Sequence, residues 1–316
     1  MKLTVSYQHL YTDWFVGEFY IKFTEYLSSI GGVEIEYKNL SELAQHYGCK
    51  TDYNNGLPSM FSPYNLLIKN EETGKTFIHS WHDYAPAILV NGSGIENFDV
   101  VKFSCVSRLD QGIIDGYHGP AKIQPSTYIL ESSSDFDFVE KYRFNEKTID
   151  KVYFNALCHG IRERFIDVLS KSEKFNVKKK DKGGWLPKEK YYEEMSNHKF
   201  GLNLDGVAKI CYRDLESFGL GTLLIREYLN VLTYEPLESG KHYAQLIDDD
   251  IKSKISDDSQ TPYIIEKLEN GINEIVTSGQ YEYIINEARG WYDRNCLPEN
   301  QIKIMTSFLE DFEIFK

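Results

Sequence analysis

KFGLNLDGVAKICYRDLESFGLGTLLIREYLNVLTYEPLESGKHYAQL, running from Lys199 to Leu246, switches hydrophobic period within a short span. Phe200, Leu202 and Leu204 alternate with smaller or polar residues, the period of a strand, and Asp205-Gly206 then signals a turn. After a short loop, Tyr212-Arg213-Asp214-Leu215-Glu216 opens a segment whose apolar residues recur at helical spacing. Gly219 and Gly221 close it, and a second apolar run follows from Thr222 to Ile225. Strand, loop, helix and strand in succession predict a βαβ unit. A helix start offers unpaired N–H groups, Arg213 a forked cation, and Glu216 a carboxylate able to accept two hydroxyl hydrogen bonds. That set suits a nucleotide diphosphate and its ribose. The plainer alternative is an Arg–Glu pair at i, i+3, which many helices carry.

Working outward, 316 residues suit two domains of ordinary size, and 41% hydrophobic content provides sizeable cores. Tyr (23) and Phe (18) are plentiful, which favours clefts that stack on rings and sugars. A net charge of −13 argues against nucleic acid or an anionic membrane as the main partner. An anionic ligand would have to be met by local cations. The five cysteines are widely spaced and odd in number, which fits neither a disulfide framework nor a zinc site. The N-terminus lacks the uninterrupted apolar core of a signal peptide, and no window reaches the roughly 20 apolar residues of a membrane span. The expectation is a soluble, cytoplasmic protein without stable membrane insertion.

Upstream, the pattern alternates as an α/β domain does. Strands are predicted at Lys2–Tyr7, Val33–Tyr37, Asn65–Lys69, Thr76–Ser80 and Val100–Val106, with another within Ile123–Glu131. Helices are predicted at Glu18–Ile30 and Leu40–Tyr47. Short strands with turn-rich joints make this half less regular than a plain doubly wound domain. Ser132-Ser133-Ser134-Asp135 and the charged run after Lys141 read as the domain joint. Then the pattern restarts with strand Val152–Leu157, helix Ile161–Ser170, strand Phe175–Lys178 and helix Lys188–Asn197. The tail from Tyr281 to Phe315 is helical by spacing.

Asp205-Gly206, Cys211-Tyr212-Arg213, Glu216, Gly219 and Gly221 together resemble the donor-binding region of GT-B glycosyltransferases, particularly the exostosin-like and protein O-glucosyltransferase-like groups. Glu235-Pro236-Leu237 followed by His242-Tyr243 resembles a later segment of the second group. The resemblance implies two Rossmann-like domains facing a central cleft, with a C-terminal helix crossing back to the first. Residues 1–145 would bind the acceptor, 146–290 the nucleotide-sugar, and 291–316 would form the returning tail. Those groups usually work in the secretory pathway, so the absent signal peptide points to a soluble bacterial or large-virus member. The implied activity moves a sugar from a UDP-linked donor to a carbohydrate hydroxyl, with inversion and without a metal or other cofactor. Its partners would be the donor and a glycan acceptor.

Within that frame, His159 and Gly160 lie on the first loop of the second domain, with Arg162 or Arg164 behind as the diphosphate arginine. Trp185 suits stacking on the base, and Lys209 and Tyr212 flank the donor alongside Arg213 and Glu216. For each of these a solvated or anchoring role is the plain alternative. A base must take the acceptor hydroxyl's proton, and His79-Ser80-Trp81-His82-Asp83-Tyr84 offers Asp83 or His82. Glu18 is the rival, and the loop containing Asp115 a third choice. Asp135-Phe136-Asp137 and Asp248-Asp249-Asp250 are read as solvated loops. The competing functions are a metal-dependent GT-A transferase using Asp135 and Asp137, and a non-catalytic carbohydrate-binding protein.

Overall fold

The computed structural model describes residues 1–7, 15–38, 65–80, 101–105, 111–116, 122–126, 130, 132–157, 160–180, 186–205, 209–311 and 313–315. They form two separate sheets. In the first, the order is β2 (Glu34–Tyr37), β1 (Lys2–Ser6), β3 (Asn65–Asn70), β4 (Thr76–Ser80), β5 (Val101–Cys105), β6 (Lys122–Pro125). The β3–β4 hairpin pairs antiparallel, as β1 does with β3, while β1–β2, β4–β5 and β5–β6 are parallel. Only β3 therefore runs against its neighbours, and the sheet is mixed. Helix α1 (Phe15–Ser29) lays Phe19, Phe23 and Leu27, one turn apart, into the core, where each is fully buried. A six-residue helix, α2 (Gln111–Gly116), lies between β5 and β6 in sequence and was not predicted.

The second sheet is parallel throughout. Its order is β11 (Ala244–Ile247), β10 (Leu223–Glu227), β9 (His198–Leu202), β7 (Ile149–Leu157), β8 (Phe175–Lys180). Crossovers run through α4 (Ile161–Leu169), α5 (Lys188–Asn197) and α6 (Tyr212–Leu220). All of β10 is buried, as a strand covered on both faces must be. The chain adds β8 on one side of β7 and then β9 on the other. That reversal is the switch point at which doubly wound sheets open a crevice beyond their strands' carboxyl ends.

Two acidic strings depart from the loops expected of them. Residues 133–142 form a helix, α3 (Ser133–Tyr142), begun by a capping box between Ser132 and Asp135. The Ser132 main-chain N–H donates to Asp135 at 2.9 Å, Lys188 pairs with the same carboxylate at 2.8 Å, and Asp135 is 1% exposed. Asp248 caps α7 (Asp249–Lys254) by accepting from the Ile251 N–H at 2.9 Å. Neither string is a solvated loop, because carboxylates at helix starts satisfy N–H groups that have no partner within the helix.

The C-terminal third holds α8 (Thr261–Thr277), α9 (Gln280–Asn295) and α10 (Pro298–Asp311). Helix α9 covers α6, with Trp291 edge-on to Phe218 and Tyr292 against Gly219. Helix α10 returns to the first sheet, as the sequence implied. Phe308 meets Phe77 of β4, and Asn70 donates to the Ile314 carbonyl at 2.8 Å. One hydrophobic cluster accordingly runs from Leu3 and Val5 through Tyr153 and Phe218 to Phe308. A second, centred on Phe154, Phe200 and Ile225, lies on the other face of the parallel sheet. No helix among the described residues is long and apolar enough to cross a membrane.

Candidate functional site

Asn155 near the end of β7 and Asn203 just beyond β9 flank the switch point and are 2% and 1% exposed. Arg213, in the first turn of α6, spans them. Its Nη1 donates to Asn203 Oδ1 at 3.1 Å and its Nη2 to the Asn155 carbonyl at 3.2 Å. The guanidinium lies over the Phe154 ring, 5.5 Å from its centroid. Among the described residues Arg213 makes no ion pair, and its buried Nε has no hydrogen-bond partner. Asn155 Oδ1 is likewise buried without a partner. A cation held by neutral oxygens keeps its charge available to an anion.

Glu216 follows Arg213 by three residues, but its carboxylate turns to α5. Oε2 accepts from Tyr191 at 2.7 Å and Oε1 from Tyr192 at 3.2 Å. Burial lifts the Glu216 carboxyl above its ordinary range, with the Arg213 charge opposing. The tyrosine pair fixes the carboxylate while each oxygen keeps a lone pair.

The loop entering α6 is clamped from beneath by an arginine the sequence reading passed over. Arg226 on β10 is fully buried and pairs with Asp214 and, at 3.0 Å, with Asp205. It also donates to the Lys209 carbonyl at 2.7 Å. Asp214 accepts from Asn203 and from the Cys211 N–H, both at 2.8 Å, closing a capping box at the start of α6. The available clue was an arginine inside the apolar strand Leu223–Glu227. A charge there needs buried partners.

The remaining expected donor residues separate. Gly160 begins α4 at φ +61°, a conformation that suits glycine. Arg162 donates to the Leu204 carbonyl at 2.6 Å, on the crevice side, whereas Arg164 turns to Ser256 and Asp258. Lys209 is exposed and pairs with Asp205 at 2.5 Å, and Tyr212 is half-buried at the start of α6. Among the residues proposed for proton abstraction, Glu18 pairs with Lys22 at 3.0 Å on the outer face of α1. Asp115 is exposed and accepts from Gln111 at 2.7 Å. His82, Asp83, His159 and Trp185 lie outside the described residues. Asp135 and Asp137 do not converge, one buried as a cap and the other exposed. In the later segment, Glu235 is held by Arg294 and Asn295, and the Tyr243 hydroxyl accepts from the Leu229 N–H at 3.1 Å. Both brace the chain between β10 and β11.

No protein-family model and no curated protein sequence matches the chain. Among solved structures it is similar to the pneumococcal O-GlcNAc transferase GtfA in complex with UDP and GlcNAc, at 10% identity and a TM-score of 0.43. That match covers 74% of this chain and 48% of GtfA, so the chain spans about half of GtfA's length. It is also similar to the DNA-modifying enzyme β-glucosyltransferase (10% identity, 99% and 100% covered, TM-score 0.41). A glycosyltransferase from Rickettsia africae matches at 9% identity, with 100% and 98% covered and a TM-score of 0.49.

Proposed function

We propose that the protein is a GT-B glycosyltransferase that binds a nucleotide-sugar, of the UDP class, in the crevice at the ends of β7 and β9. It passes the sugar to a carbohydrate hydroxyl presented by the first domain. The observation that carries this reading is Arg213. It bridges the switch point with its fork on neutral oxygens and forms no ion pair among the described residues, with Glu216 acting on it only at longer range. In a chain of net charge −13, such a cation is a site-specific provision for an anion. As the glycosidic bond breaks, charge accumulates on the leaving diphosphate, and a preplaced guanidinium stabilises it without reorganising. Arg162 and the starts of α4 and α6 would add donors around the same phosphates. Glu216, immobilised by Tyr191 and Tyr192, would accept the ribose hydroxyls. The acceptor side carries the proton transfer, for which Asp83 is our choice ahead of His82 and Glu18, with inversion at the anomeric carbon. The likeness of Lys199–Leu246 to the exostosin-like and O-glucosyltransferase-like groups supports the UDP assignment.

Calorimetric titration with UDP and GDP tests the reading. Binding of UDP, weakened roughly 10- to 100-fold by Arg213→Ala and by Glu216→Ala, is the expected result for charge-assisted contacts. If both variants bind as the parent chain does, the crevice is not the donor site. Undiminished transfer in EDTA is expected, and abolition by the chelator would favour the metal-dependent alternative. Binding of neither nucleotide at millimolar concentration would favour the non-catalytic carbohydrate-binding alternative.

A further inference from the structure

An open cavity of about 350 Å3 lies at the opposite, amino-terminal ends of β7 and β9, walled on its outer side by α9. Among the described residues Lys147, Lys199 and Arg289 line it, against Glu282 as the single lining carboxylate, and Phe144 and Tyr281 supply rings. Lys147 Nζ donates to the Ser196 carbonyl at 2.6 Å and to the Leu220 carbonyl at 2.8 Å. It thereby caps α5 and α6, whose carboxyl ends carry partial negative charge. That role accounts for one cation. Arg289 converges on the same Leu220 carbonyl at 3.5 Å, donates to the Arg143 carbonyl at 2.7 Å, and leaves a buried Nε with no hydrogen-bond partner among the described residues. Neither Lys147 nor Arg289 forms an ion pair among the described residues. Lys199 has Asp150 only at 4.0 Å. Burial, and then the charge of Arg289, pull the Lys147 ammonium down to about 7. The wall beside them is aromatic: Phe144 is 74% exposed, and Arg143 and Arg289 lie 5.1 and 5.6 Å from its ring centroid.

We propose that this cavity is a second ligand site, for a small phosphate monoester bearing a ring. The phosphate would sit between Arg289 and Lys147, with Lys199 at the mouth, and the ring would lie against Phe144 and Tyr281. A doubly charged group supplies the counter-ion that the two inner cations lack, and the cavity has the volume of a small-molecule pocket. The site is separated from the β7/β9 crevice by the length of the strands, and does not depend on the function assigned to that crevice.

Binding of phenyl phosphate and of inorganic phosphate to the full chain, followed by calorimetry, is the test. Phenyl phosphate should bind more tightly than inorganic phosphate. Arg213→Ala, which alters only the other crevice, should leave this binding unchanged. Arg289→Gln keeps a donor for the Arg143 carbonyl, and should weaken phenyl phosphate by about 10-fold or more. Lys199→Gln, at a half-buried position where the side chain has only a long contact with Asp150, should weaken it by about 3-fold and serves if Arg289→Gln fails to fold. The proposal is overturned if phenyl phosphate does not bind at 10 mM on the order of ligand-pocket affinities. It is equally overturned if Arg213→Ala abolishes binding, or if folded Arg289→Gln or Lys199→Gln binds like the parent.

Discussion

Arg213 and Arg226 sit on adjoining elements, and the protein treats their charges in opposite ways. Arg226 is fully buried between Asp205 and Asp214, whereas Arg213 meets an amide oxygen and a main-chain carbonyl. Removing Arg226 leaves buried carboxylates without their cation, so Arg226→Met should cost about 3–5 kcal/mol of stability in urea denaturation. Arg213→Ala breaks no ion pair, though it takes away the charge that opposes the burial of Glu216, and should cost less, about 1–2 kcal/mol. Equal losses for the two would make Arg213 another structural clamp and remove the basis of the donor assignment. His79 gives a pH prediction of the same residue-level kind. Its ring nitrogens face the hydroxyls of Tyr20 and Ser126, both at 3.1 Å, and burial lowers its pKa from 6.5 to about 3. The fold therefore favours the neutral ring, while the unfolded chain takes up a proton below about 6.5. Stability from this group is complete above that pH and is lost as pH falls towards 3. The part lost between pH 7 and 5 is about 2 kcal/mol. NMR of the imidazole should show no titration between pH 8 and 5, and a midpoint near 6.5 would contradict this.

At the level of elements, strand Thr76–Ser80 and helix Lys188–Asn197 lie where the sequence places them, to the residue. Turn residues ahead of the strand and Pro187 ahead of the helix mark where each begins. Helix α3 was missed for the converse reason. Ser132-Ser133-Ser134-Asp135 has the composition of a linker, and the helix it starts is recognisable only through the Ser-x-x-Asp capping relation. The candidate site was legible in the same uneven way. Arg213 and Glu216 stand out because they open a helix after a strand. Asn155, Asn203 and the tyrosine pair come from other elements, and only the strand order brings them to the same place. Asp135→Ala should cost roughly 1–2 kcal/mol through loss of the cap, and Asp137→Ala less than about 0.5. Urea melts of the two variants check this difference. Loss of a transferase activity through both substitutions at once, with stability unchanged, would instead return the pair to a metal-binding role.

At the scale of the whole molecule, the first sheet does not complete its own core. Leu3, Val5, Leu66 and Phe77 share one cluster with Phe308, Leu309 and Ile314. Deleting residues 298–316 should therefore cost more than the loss of a surface helix. Calorimetry of the shortened chain should show a weakened or absent transition for the first sheet, with exposed apolar surface read by dye binding. An unchanged melting profile would mean that the returning helix is an ornament. Synthesis runs in one direction, and Asn70 and the Ile314 carbonyl that it holds are 244 positions apart. At about 5–20 residues per second, roughly 10–50 s separate the appearance of the two partners. Through that interval the nascent first half has α1 but not α10 over Leu3, Val5 and Phe77, and part of that face stays open to wrong partners until the returning helix is made.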